Sequence, residues 1–142
     1  MNPPVIHDEL FGELRWDELV DWYESEVEIL GGRKIRISVK VGDDGPHAAI
    51  EQARHDFPTV VANEPTYRKQ TAAALINTHN DHWSDGDKID IDGFMARMTL
   101  ESIVFWVIYT ELWYDDGDLF WGHSIYASLD SELRFTEAIF EG

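Results

Sequence analysis

A chain of 142 residues is the size of one domain, and its 44% hydrophobic and 13% aromatic content, six tryptophans included, is enough to bury a core. The absence of cysteine excludes disulfides, thiol catalysis and cysteine-ligated zinc. A net charge of −17, from 28 acidic against 11 basic side chains, repels nucleic-acid phosphates and anionic membranes, leaving basic proteins as the natural complement.

The opening MNPPVIHDELFG has no basic n-region and no apolar h-region, so no signal peptide is expected, and the lack of cysteine suits a cytoplasmic location. Strict alternation follows in WYESEVEILGGRKIRISVKV. Tyr23, Val27 and Ile29 fall on one face, with Trp22, Glu24, Glu26 and Glu28 on the other. Ile35, Ile37, Val39 and Val41 form the apolar set after Gly31-Gly32, opposite Arg36 and Lys40. Period two on both sides of Gly-Gly predicts a hairpin with a primed turn and cross-strand pairing of glutamates with basic residues.

Helical spacing replaces the alternation at Ile50, Ala53 and Phe57, after GDDGP. Pro58 lacks a backbone donor and disfavours helical geometry at Phe57, so the first helix should stop or kink there. Asn63 is placed to cap a second helix with Pro65 in its first turn. Ala72, Leu75, Ile76, His79 and Trp83 then form an amphipathic stripe.

HWSDGDKIDIDGF carries four aspartates, Asp85, Asp87, Asp90 and Asp92, the last followed by Gly93. A calcium loop aligned on that glycine needs carboxylates where Lys88 and Thr99 stand, and the registers starting at Asp85 or Asp87 put Ile89 at a ligand position. The stretch reads instead as a turn in which Asp90 or Asp92 caps a short helix through GFMARM.

From Leu100 to Leu112 apolar residues occupy both faces, the pattern of a central strand, and the run IVFWVIY within it is too short to span a bilayer. DDGD at 115–118 turns the chain, LFWGHSIYASL runs back, and LRFTEAIF closes it. Strands, helices and strands again, with no repeat or linker between them, predict one α+β domain over residues 1–142. It has a mainly antiparallel sheet with two main helices and one short helix packed on it.

Histidine chemistry finds little support. His79 lies on the apolar stripe, where a ring bonded to a backbone carbonyl is the ordinary role, and its spacing from His82 is not that of a helical zinc pair. His123 and Ser124 are adjacent on a predicted strand and point to opposite faces, so they cannot act as base and nucleophile. His123 shares a face with Leu119, Trp121, Ile125 and Leu129, and Gly122 could mark a bulge beside it. No catalytic residue, metal or cofactor is expected.

Leu119-Phe120-x-Gly122-His123-x-Ile125, following the turn, resembles the C-terminal strand of small bacterial families of unknown function. The similarity extends to FGELRWDEL, to Trp83 and to IDIDGFMARMTLESI, with Phe120, Gly122 and His123 its distinctive residues. Such small acidic domains are also similar to immunity proteins that accompany secreted bacterial toxins. The resemblance implies a structural motif of Trp83, Phe120, Gly122 and His123, and a protein that binds a cognate, basic toxin. Trp113, Tyr114, Asp115, Asp116, Asp118 and Trp121 combine aromatic anchors with carboxylates around a turn, the composition of an interface hot spot, and are the expected partner-binding residues. Two alternatives stand beside this. One is a small enzyme or ligand-binding domain using His123 and nearby carboxylates; the other is a homo-oligomeric structural domain, a homodimer in the simplest case.

Overall fold

The computed structural model describes residues 3–29, 31–84 and 86–141. Eight strands lie side by side in the order of the chain: β1 (Ile6–Asp8), β2 (Gly12–Asp17), β3 (Trp22–Ile29), β4 (Arg33–Lys40), β5 (Thr99–Phe105), β6 (Thr110–Asp115), β7 (Ser124–Leu129) and β8 (Phe135–Glu141). All neighbours pair antiparallel except β4 and β5, which run parallel with Ile37 opposite Ile103. Between these two the chain crosses over through α1 (Pro46–Ala62), α2 (Glu64–Thr78), a π-helical turn (His79–Trp83) and α3 (Ile91–Arg97). The fold is α+β, with a mostly antiparallel sheet, two main helices and one short one.

Alternation along the strands divides the sheet into two faces. Leu14, Tyr23, Ile35, Ile37, Val39, Ile103, Leu112, Tyr114, Ile125 and Leu129, each almost wholly buried, form one core with Ile50, Val60 and Ala72 of the helices. The helices cover only this face. Trp22, Glu24, Glu26, Arg36, Ser38, Val104, Glu111, Trp113 and Tyr126 alternate with the core residues and point to the other. Among the described residues, no helix is long and apolar enough to cross a membrane.

The β3–β4 hairpin has the predicted register, with Glu26 opposite Arg36 and Glu28 opposite Lys34. Gly31 and Gly32 both have positive φ, 92° and 77°, while Leu30 lies outside the described residues. Asp90 caps α3 as expected, its Oδ1 accepting the Gly93 N–H at 2.7 Å; Asp85 lies outside the described residues.

Of the two outcomes expected at Pro58, a stop is not seen: helix α1 runs through to Ala62, because Phe57 and Val60 on either side are buried against the core and outweigh one lost backbone bond. Three local expectations are corrected. Asn63 stands at the N-cap of α2, but its side-chain amide turns back to the Thr59 carbonyl (2.9 Å), closing α1 instead. The span from Leu100 to Leu112 is two strands, since Trp106 N–H donates to the Tyr109 carbonyl (2.9 Å) and the chain reverses between them. Leu119–Gly122 is a turn and not strand, so β7 begins at Ser124.

Candidate functional site

The acidic turn after β6 is built around one carboxylate. Asp116 is only 2% exposed, and its two oxygens accept the N–H groups of Asp118 (3.0 Å), Phe120 (2.9 Å) and Gly122 (3.0 Å). Wrapping the chain around it requires left-handed backbone at Gly117, Asp118, Trp121 and Gly122. Tyr114 is also inside: its hydroxyl donates to Glu64 Oε2 (2.7 Å), and Arg68, paired with Glu64, lies over its ring at 5.2 Å. Burial, then the Glu64 carboxylate, push the phenol far above its ordinary range. Tyr114 and Asp116 are therefore held in the fold and have no surface to offer a partner.

The remaining four candidates do not form one patch. Trp113 alternates with the buried Leu112 and Tyr114, so it faces the uncovered side of the sheet, where it stacks on Tyr126 at 4.5 Å; Asp115 is exposed at the end of that strand. Trp121, 61% exposed, packs on Trp83 (4.6 Å) at the helical side, with Asp118 exposed in the same turn. Asp115 joins the pairs only through the turn itself, where its Oδ2 accepts the Gly117 N–H at 3.1 Å.

Trp83, Phe120, Gly122 and His123 do come together. Trp83 lies 5.7 Å from the Phe120 ring and 5.4 Å from His123, and Phe140 stacks on Phe120 at 4.1 Å. His123 Nδ1 meets the Phe120 carbonyl at 2.5 Å, and Gly122 (φ 93°) makes the turn that permits it. His79, 7% exposed, stands edge-on to Phe94 and Phe120, with Nδ1 on the Asn80 side chain (2.9 Å) and not on a backbone carbonyl. Asn80 in turn grips both main-chain groups of Ile89 (3.0 Å each), which anchors the aspartate-rich loop.

Two further features escape the sequence reading. The uncovered face carries a cleft of about 550 Å³, walled by Trp22, Trp106 and Trp113 and floored by Ser38, Val104 and Glu111. Glu111 Oε1 accepts the indole N–H of Trp106 (2.7 Å) and of Trp113 (3.1 Å). Burial, then this carboxylate, push the phenols of Tyr109 and Tyr126 up. Glu111 is the one charged residue between Glu101 and Asp115, and that isolation in an aromatic run is the signal that marks it.

The second feature is the β5–β6 turn. Val107 and Ile108 are 60% and 72% exposed, and Tyr109 is 38% exposed. They border a separate depression of about 410 Å³ that Asp43, Asp44, Asp56 and Asp130 also line. Trp106 lines both hollows. Among the described residues, no three His, Asp or Glu side chains gather as a metal site would need.

A family model described as an uncharacterized protein conserved in bacteria (DUF2262) matches residues 8–139. The chain belongs to this family. No curated protein and no solved structure matches it. The span matched to DUF2262 contains every residue of the cleft, of the β5–β6 turn and of the Asp116-centred turn.

Proposed function

We propose that this DUF2262 protein is an immunity (antitoxin-like) protein, which binds and neutralises a cognate bacterial toxin in the cytoplasm and is not itself an enzyme. The observation that carries the reading is the β5–β6 turn. Val107, Ile108 and Tyr109 project into solvent with four aspartates beside them. Consecutive exposed apolar side chains rimmed by charge are what a protein–protein contact looks like when its partner is absent. The carboxylates and the net charge of −17 would steer a basic partner onto them and repel nucleic acid and anionic membranes. On this reading the contact lies at the hairpin tip, with Trp113 and Asp115 nearby on β6. The enzyme alternative is less well supported, because His123 is committed to the Phe120 carbonyl and to the aromatic cluster.

Co-expression with the product of the neighbouring gene, followed by capture at low and high salt, tests the proposal. Val107→Ser with Ile108→Ser should abolish capture and protection without lowering the melting temperature. Asp43→Lys with Asp44→Lys should slow association and flatten its salt dependence. Protection by both double variants equal to wild type, or the lack of any toxic neighbour, would overturn it. A protein that elutes as a dimer until Ile108 is replaced would assign the tip to a second copy instead.

A further inference from the structure

In the cleft on the uncovered sheet face, Glu111 has no ion-pair partner among the described residues. Glu111 is 9% exposed, and the two groups that donate to it, the indoles of Trp106 and Trp113, are neutral and share a single oxygen. Among the described residues neither carboxylate oxygen has a Lys, Arg or His nitrogen within salt-bridge distance, and Oε2 has no protein donor. Oε2 keeps contact with solvent, so it is the oxygen left open to a charged partner in the cleft.

The rim does not supply the pairing. Lys34 and Arg36 line the mouth, but Glu26 and Glu101 line it with them, so the mouth is balanced and the floor alone is negative. Ser38, on the strand next to β5, is a second and independent sign of an occupant. It is 1% exposed on the same floor, and its hydroxyl is the one buried side-chain polar atom without a hydrogen-bond partner among the described residues. An uncompensated carboxylate within walls of three indoles, with an unpaired hydroxyl across Val104 from it, makes a donor-poor cavity that favours a cation. An anion would meet Glu111 directly, and a neutral ligand would leave its charge unpaired.

We infer that this cleft is a receptor for one positively charged group, an alkylammonium or a guanidinium, with Glu111 as counter-ion, Ser38 as a further oxygen partner and Trp22, Trp106 and Trp113 around it. The inference goes beyond the toxin-binding proposal and does not depend on it. The group could come from a lysine or arginine of a protein or from a free amine, and both present the same chemistry to the floor.

The indole N–H resonances of Trp106 and Trp113 report on the site, because both protons sit on Glu111. Titration of the full chain with agmatine and with N-acetyl-arginine amide should shift these two resonances and spare that of Trp83. N-acetyl-citrulline amide, an uncharged isostere of the arginine probe, should leave them in place. Glu111→Gln keeps an oxygen for the indoles and removes the charge, and should weaken binding by about tenfold or more. Ser38→Ala, which removes only the free hydroxyl, should weaken it by a smaller factor. Tighter binding of an arginine-containing peptide than of agmatine assigns the source to a protein side chain, and the opposite ranking to a free amine; either sustains the site. Equal shifts with citrulline and arginine probes, undiminished binding by Glu111→Gln, or no response to any cation would overturn it. The citrulline comparison needs only wild-type protein, so it decides the matter even if a variant fails to fold.

Discussion

Asp116 shows how one carboxylate in an acidic run can differ in kind from its neighbours. Asp115, Asp116 and Asp118 read alike in sequence, but Asp116 alone collects three backbone N–H groups and sits inside the protein. Asp116→Ala would strand those donors and should lower stability by ~2–3 kcal/mol in denaturant unfolding, whereas Asp115→Ala should stay within ~0.5 kcal/mol. Gly117 is constrained from another side. A Cβ there would lie 2.3 Å from the Arg97 carbonyl oxygen, at φ +55°, while the Gly117 carbonyl accepts from Arg97 Nε at 2.8 Å. Gly117→Ala should therefore cost about 2 kcal/mol or more, since the clash is with backbone and cannot be relieved by a rotamer change. His123→Ala should cost ~1–3 kcal/mol, because it empties a place between Trp83 and Phe140 and leaves the Phe120 carbonyl short of a partner. A His123→Ala protein of unchanged melting temperature would show that the ring is not structural.

Among the elements, those announced by local signals were legible and those fixed by distant contacts were not. Gly31-Gly32 between two alternating runs and Asp90 three residues before Gly93 are short-range instructions, and both are obeyed. The β5–β6 turn contains no Gly, Pro, Asn or Asp, so a strand period running through Trp106–Tyr109 concealed it. Pro58 failed to end α1 for a related reason: packing against the sheet, which no local rule contains, outweighed one missing donor. The aromatic motif is named as a set only by the resemblance, and the cleft not at all, because Ser38, Val104 and Glu111 come from three strands. The β1–β2 turn offers a test at this scale. Burial alone would raise the Asp8 carboxyl, but the N–H groups of Phe11 and Leu10 and the Arg54 guanidinium together outweigh it and hold it below its ordinary 3.8. Because the folded-state value is the lower one, the stabilisation is fully present above 3.8 and is lost as pH falls through the depressed value. Asp8→Asn should thus be less stable than wild type by about 1 kcal/mol at neutral pH, with the gap closing below pH ~3.8 and not on the alkaline side. Unfolding curves from pH 2 to 7 would show a constant gap if the carboxylate carries no part of the anchor.

At the scale of the whole molecule, the single parallel pair divides the sheet into two antiparallel ribbons, β1 to β4 and β5 to β8, each of which the chain lays down strand after strand. Every pairing inside a ribbon closes a short loop. Pairing β4 with β5 closes one that contains all the helices. Loop closure of that length has to be met before its contacts repay it, so the ribbons have the shorter route to structure. Ile37 and Ile103, opposite each other across the parallel pair and both fully buried, are the probes. Ile37→Val and Ile103→Val should each destabilise by about 1 kcal/mol, and the loss should fall mainly on the unfolding rate. Val27→Ala, within the β3–β4 hairpin, should slow folding instead. The same junction crosses the floor of the cleft, since Ser38 stands on β4 and Val104 on β5, paired with each other. Two ribbons that each form without the other would hold Ser38 with Trp22 in one and Glu111 with Trp106 and Trp113 in the other, so binding competence would arrive last in folding and depart first on heating. An occupant that bridges Ser38 and Glu111 would then act as a clasp between the halves, felt by the protein less as a ligand than as a missing stitch.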